Sequence, residues 1–181
     1  MKRARGFTLI ELVMVILITS LLAVAGIHIM NFTLHNTFFL PNQVQADLVA
    51  AEALEILVEG DSQAKGLRFC KAVTDASSSS ITVTNQDDLA IIYTLAGGML
   101  YRNIDSGGNV QIPYFNTADM VLSGAGGSLF TYYDSADAVT AVPANIRRIN
   151  IDLIAKQGGG SSDKYEGFSQ QSTSVKVNKY L

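Results

Sequence analysis

The chain has 181 residues, with 13 Lys plus Arg against 16 Asp plus Glu, for a formal net charge of −3. That length can hold one domain with a real core, while the small acidic excess leaves no basic stripe to grip nucleic acid through its phosphates, so no nucleic acid is expected as a partner. The single cysteine, Cys70, excludes an internal disulfide; its position after Leu67 and Phe69 predicts a buried packing role.

The chain opens with a basic leader, Lys2, Arg3 and Arg5, followed by Gly6-Phe7 and a long apolar run. From Phe7 to Met30 the only ionisable groups are Glu11 and His28; Thr8, Thr19 and Ser20 are mild polar interruptions. As a helix this stretch spans about 36 Å, enough to cross a hydrocarbon core of roughly 30 Å. Lys and Arg at its head favour the cytoplasmic side, which predicts that the rest of the chain lies outside the inner membrane. Glu11 is the anomaly, because a carboxylate in a membrane helix costs several kcal/mol unless it finds a partner. Neither helix propensity nor membrane insertion calls for it, so a positive group is expected to reach it; a cut a few residues upstream would free such an amine. The residues alone leave three readings: a plain signal anchor, a processed assembly helix, or a cleaved signal using the small residues of Leu21-Leu22-Ala23-Val24-Ala25-Gly26.

The run Arg5-Gly6-Phe7-Thr8-Leu9-Ile10-Glu11-Leu12 resembles the class III leader of type IV pilins and type II secretion pseudopilins. The resemblance implies cleavage between Gly6 and Phe7 by a prepilin peptidase, N-methylation of Phe7, and Glu11 as the family's helix glutamate. It also implies assembly with other pilins or pseudopilins through the N-terminal helix. The partners would include an inner-membrane assembly platform and its motor ATPase. The freed amine of Phe7 would then stand at the positive end of a helix with Glu11 one turn inward, where the carboxylate could neutralise its own amine or that of the next subunit. Family members often carry a proline at the place held here by His28.

Beyond the span, Val44, Leu48, Ala51, Leu54 and Val58 recur at three- and four-residue steps and predict an inward helical face, with Glu52, Glu55 and Glu59 opposite and Gly60-Asp61 as a stop. One long helix is expected from about Phe7 to Glu59, with a kink or short break near Leu40-Pro41. His28 and His35 lie seven residues apart on nearly one face, without a carboxylate at i+3 or i+4, and read as interfacial polar residues rather than metal ligands.

After Gly60 the pattern turns to strands. Ile81–Thr84 alternates behind the Ser77–Ser80 loop, and Leu89–Leu95 and Met99–Arg102 flank Ala96-Gly97-Gly98 as a hairpin. Further strands are predicted at Val110–Tyr114, Met120–Leu122 and Leu129–Tyr133. Ile149, Ile151, Leu153 and Ala155 alternate inward against Arg148, Asn150 and Asp152. A flexible Gly158-Gly159-Gly160-Ser161-Ser162 loop leads to a last strand over Ser174–Val177.

The expected fold class is α+β, a long N-terminal helix packed on a mainly antiparallel sheet domain. Its divisions are a leader (1–6), a transmembrane assembly helix (7–30), its amphipathic continuation (31–60) and a periplasmic β-rich domain (61–181). This too resembles pilin-like folds. Gly66-Leu67-Arg68, Leu100-Tyr101-Arg102, Arg147–Leu153 and Ser174–Val177 look like the J-type minor pseudopilin and minor-pilin relatives.

Catalytic spacings such as HExxH, CxxC, GxSxG or a P-loop do not occur, so no enzyme activity and no cofactor are expected. Gly107-Gly108 and Gly124-Ala125-Gly126-Gly127 read as turns. Asp87-Asp88, Asp105 with Asn109, and Asp134 with Asp137 read as acidic surface turns, without the ligand spacing of a calcium loop. The sequence therefore points to a structural subunit of a type IV pilus or a secretion pseudopilus, minor or initiating. An adhesive or ligand-binding module displayed on a filament and a membrane-anchored enzyme are the alternatives.

Overall fold

The computed structural model describes residues 8–113, 120–158 and 166–177. Helix α1, Leu9–Val58, runs without interruption for 50 residues, about 75 Å at 1.5 Å per residue. The break expected near Pro41 is absent. Pro41 lies inside the helix, so the Thr37 carbonyl faces a residue with no amide hydrogen to give. The ladder on either side carries the helix across this one missing rung.

The outer half of α1 docks on the β domain through Ala46, Val49, Ala50, Ala53, Ile56 and Leu57. This corrects the face read from the sequence. Val44 (54% exposed), Leu48 (60% exposed) and Ala51 turn to solvent together with Glu55, and Leu54 is only partly buried. Of the expected stripe, Val58 alone is buried. Alanines at 46, 50 and 53 bring the helix backbone close to the sheet, and small side chains at the contact permit a short separation.

Among the described residues nine strands follow: β1 Cys70–Ala76, β2 Ser80–Asn85, β3 Ala90–Ala96, β4 Met99–Ile104, β5 Asn109–Ile112, β6 Met120–Gly124, β7 Phe130–Tyr133, β8 Arg148–Gln157 and β9 Gly167–Lys176. The first five form an antiparallel meander in sequence order. Its β3–β4 hairpin closes at Ala96 opposite Met99 through Gly97 (φ 59°) and Gly98 (φ 77°), a two-residue turn with both central residues left-handed.

The second sheet is built on β8. β9 pairs with it along its whole length on one side. On the other side β6 faces Leu153–Gln157 and β7 faces Arg148–Ile151, so these two are halves of one strand interrupted by the 3-10 turn Ala125–Gly127. Ile149, Ile151, Leu153 and Ala155 are fully buried, as their alternation predicts. The sheets are stitched together where the Leu122 N–H donates to the Gly98 carbonyl (2.7 Å) and the Leu129 and Phe130 N–H groups donate to the Ser78 carbonyl (2.8 and 3.0 Å).

Two strands exceed the sequence reading. β1 was not expected as a strand, and β9 begins at Gly167, seven residues before the expected Ser174, ending at Lys176. Cys70 is buried at the start of β1, its thiol donating to the Ala72 carbonyl at 3.2 Å. Tyr114, and the glycine–serine loop from Gly159 onward, lie outside the described residues.

Two contacts fix the helix to the domain. After α1, Asp61 accepts both terminal nitrogens of Arg102 on β4, at 2.8 and 2.9 Å, and also the Gln63 and Ala64 N–H groups at 2.8 and 3.2 Å. At the N-terminal end of the docked half, Gly167 meets the helix backbone so closely that a Cβ would lie 2.2 Å from the Asn42 carbonyl. There the Gln43 amide bonds both backbone groups of Phe168.

Candidate functional site

The candidate site is the start of α1 and the apolar helix behind it. Gly6 and Phe7 lie outside the described residues, so the expected cleavage point has no described geometry. The next residue, Thr8, is the N-cap, with φ −74° and ψ 151°. Glu11 stands at the third helical position, where its Oε2 accepts the Thr8 N–H at 2.8 Å and the Thr8 hydroxyl at 2.9 Å. The Thr8 Oγ1 in turn accepts the Glu11 N–H at 3.4 Å. This is a reciprocal capping box, which satisfies amide donors that the first helical turn leaves orphaned.

The geometry corrects one premise of the sequence reading, because helix formation does have a use for this carboxylate. The signal was present as Thr8-Leu9-Ile10-Glu11, a threonine followed three residues later by a glutamate ahead of an apolar run. A carboxylate in the first turn also faces the positive end of the helix dipole. Any amine produced just before Thr8 would arrive beside a carboxylate already aimed at the chain's incoming end.

Behind the cap, all described residues through His35 are exposed, from Leu9 at 82% through Leu22 and Ile27 to Phe32. The polar interruptions bond within the helix. Thr19 donates to the Val15 and Ile16 carbonyls (2.8 and 3.0 Å), Ser20 to Leu17 (2.8 Å), Thr33 to Ile29 (2.9 Å) and Thr37 to Thr33 (2.8 Å). Hydroxyls bonded back to their own helix are tolerated in hydrocarbon, where no water can serve them. This is the one helix among the described residues long and apolar enough to cross a membrane. His35 stacks on Phe39 with ring centroids 5.0 Å apart.

The acidic turns have structural partners. Asp87 and Asp88 pair with Lys65 and Lys71 at 3.2 and 2.7 Å, Asp134 caps the Ala136 and Ala138 N–H groups, Asp105 accepts the Ala90 N–H, and Asp137 pairs with Arg148. Among the described residues no three His, Cys, Asp or Glu side chains group closely enough to hold a metal ion.

Residues 1–27 match the family model described as the prokaryotic N-terminal methylation motif. The chain carries a prepilin-type N-terminus. The match contains Gly6, Phe7 and Glu11 and supports a pilin-like subunit of the type IV pilin and pseudopilin family, processed by prepilin peptidase and assembling with other pilins. It agrees with membrane anchoring through the apolar first half of α1. No curated protein and no solved structure matches the chain.

Proposed function

We propose that the chain is a structural subunit of a type IV pilus or type II secretion pseudopilus, built in as a minor or initiating component. In this reading the prepilin peptidase cuts between Gly6 and Phe7 and the new Phe7 amine is methylated. The subunit waits as a single-pass protein of the bacterial inner membrane with its β domain in the periplasm. A motor ATPase acting through the membrane platform then moves it into the filament, since no nucleotide-binding spacing occurs in this chain. Glu11 meets the Phe7 amine of its own or the next subunit, which selects an axial register because an unmatched charge in hydrocarbon is costly.

The observation that carries this reading is the methylation motif over residues 1–27 running directly into a helix whose first half makes no contact with its own domain. A helix left bare by its own fold and too apolar for water needs lipid before assembly and neighbouring helices afterwards. The large β domain and His28 at the usual proline place favour a minor role over that of the bulk subunit.

Mass spectrometry of the native product tests it. The expected species begins at N-methylated Phe7, and a Gly6→Arg variant should accumulate as precursor and stay out of filaments. An intact Met1 start, or a cut beyond Ala25, overturns the proposal.

A further inference from the structure

The free edges of the two sheets are not alike. β1 carries two register shifts, between Cys70 and Ala72 and between Val73 and Asp75, and the 3-10 turn Pro143–Asn145 packs against it. β5 is four residues long, and the β6–β7 edge is broken by its turn. Bulges, covers, short strands and charges are the usual means of blunting a sheet edge. Between Gln170 and Ser174 β9 has no bulge and no charge, and α1, which packs against β9, reaches its outward backbone among the described residues only through Gln43 at Phe168. The strand runs ten residues in unbroken register with β8, and Gln170-Gln171-Ser172-Thr173-Ser174 is uncharged.

The direction of its backbone groups follows from two bonds. The Val177 N–H points across to the Arg147 carbonyl on the β8 side, whereas Phe168 turns both N–H and C=O the other way, to Gln43. In an antiparallel pair residues alternate between facing the partner and facing away. Gln170, Ser172, Ser174 and Lys176 therefore turn their N–H and C=O groups outward in line with Phe168. All four residues are exposed, and among the described residues no strand, side chain or turn bonds these backbone groups. Gln43 shows what this edge accepts: its amide imitates a neighbouring strand at the first rung, and the remaining rungs stand open.

Beside the open rungs lies a groove of about 320 Å³ lined by Val58, Arg68 and Thr173–Lys176. Its floor is apolar, from Val58 and Val175. Its rim is cationic, from Arg68, which also pairs with Glu59, and from Lys176, which has no ion-pair partner among the described residues. We propose that the outer edge of β9 takes up an extended strand from a different polypeptide, with a small apolar side chain seated on Val58 and Val175 and a carboxylate facing Arg68 and Lys176. Only another extended backbone repeats donors and acceptors at the spacing this edge presents, which is the physics of recognition by strand addition. A second copy fits poorly. Its β9 contains no acidic residue, and self-pairing about Ser172 would bring Lys176 to the Phe168 rung, already held by Gln43. The inference goes beyond filament membership and does not depend on the N-terminal cut.

Amide exchange resolved to single residues tests it, on the full chain in its native membranes and on the same chain purified as a monomer in detergent. The Ser172 and Ser174 amides should exchange about tenfold or more slowly in the membranes, while the inward-facing Thr173 amide stays slow in both. Ser172→Pro, which removes an outward N–H and no β8 bond, should keep the fold and abolish the protection at Ser174. A photo-crosslinker at Gln170 should join a segment of another protein carrying Asp or Glu. Equal exchange of Ser172 and Ser174 in the two preparations, or crosslinks to β9 of a second copy, overturns the proposal. The N-terminus of the same sample is read separately, so loss of the edge contact and failure of maturation are distinct results.

Discussion

Asp61 and Arg102 meet through two parallel hydrogen bonds, 2.8 and 2.9 Å, across 41 residues of sequence. Arg102 is 2% exposed, so the domain has taken a full guanidinium out of water and matched it with a carboxylate from the turn that ends the long helix. Removing one partner of a buried pair strands the other, which costs about 3–5 kcal/mol. Asp61→Ala should therefore lower the melting temperature of the full chain sharply, whereas the double variant Asp61→Ala with Arg102→Met should recover part of the loss. A single variant that melts like the parent would show the pair to be dispensable.

The contact between Gly167 and the helix backbone makes a second prediction. A Cβ at Gly167 would overlap the Asn42 carbonyl, and backbone on both sides leaves little room to yield. Gly167→Ala should destabilise the docking of α1 by about 2 kcal/mol or more. Gln43→Ala, which forfeits two bonds to Phe168 at a solvent-exposed place, should cost on the order of 1 kcal/mol. Limited proteolysis near Pro41 and thermal melts would rank the two.

Glu11 has two uses that chemistry can separate. Glutamine at the third helical position still completes a capping box but carries no charge. Glu11→Gln should keep helix content and leader cleavage near parental levels while entry into filaments falls. Glu11→Ala should lose both cap and charge, and Thr8→Val, which keeps the carboxylate, should cost about 1 kcal/mol of helix start with filament entry retained. Normal filament entry by Glu11→Gln would assign the carboxylate to capping alone.

The tyrosines set an alkaline limit on the domain. Burial pushes the Tyr93 hydroxyl from the ordinary 10 up to about 12, against the opposing pull of the Arg102 charge, and burial pushes Tyr132 up as well. A raised folded value favours the protonated phenol in the native state. Its contribution is complete below pH 10 and disappears as pH rises toward 12, where the unfolded chain has already released the proton. Stability should fall through that window, on the order of 2 kcal/mol from Tyr93, and Tyr93→Phe should flatten the slope. Denaturant melts at pH 9, 10 and 11 measure it.

Much of the architecture was legible, and the failures have physical causes. Strands with large β-branched residues on one face, such as Ile149, Ile151 and Leu153, announce themselves, as does a Gly97-Gly98 hairpin. β1 hid because its two register shifts spoil the two-residue period. The first half of β9 hid because its inward positions are as small as Gly167 and Ser169, while its one bulky apolar residue, Phe168, faces outward. The docked face of α1 was misjudged because close approach to a sheet selects alanines, so Ala46, Ala50 and Ala53 were outweighed by the bulkier Val44 and Leu48. At the candidate site the motif is plain in Gly6, Phe7 and Glu11, whereas the Thr8 cap escapes residue-by-residue helix propensity and shows only in the three-residue spacing from Thr8 to Glu11.

The missing amide at Pro41 has a mechanical meaning. If axial load is passed along α1, elongation begins where a rung is already absent, in the turn between Thr37 and Pro41. That turn lies just before the Gln43 clasp, so the rod can stretch like a spring on its N-terminal side while the β domain rides undisturbed beyond it.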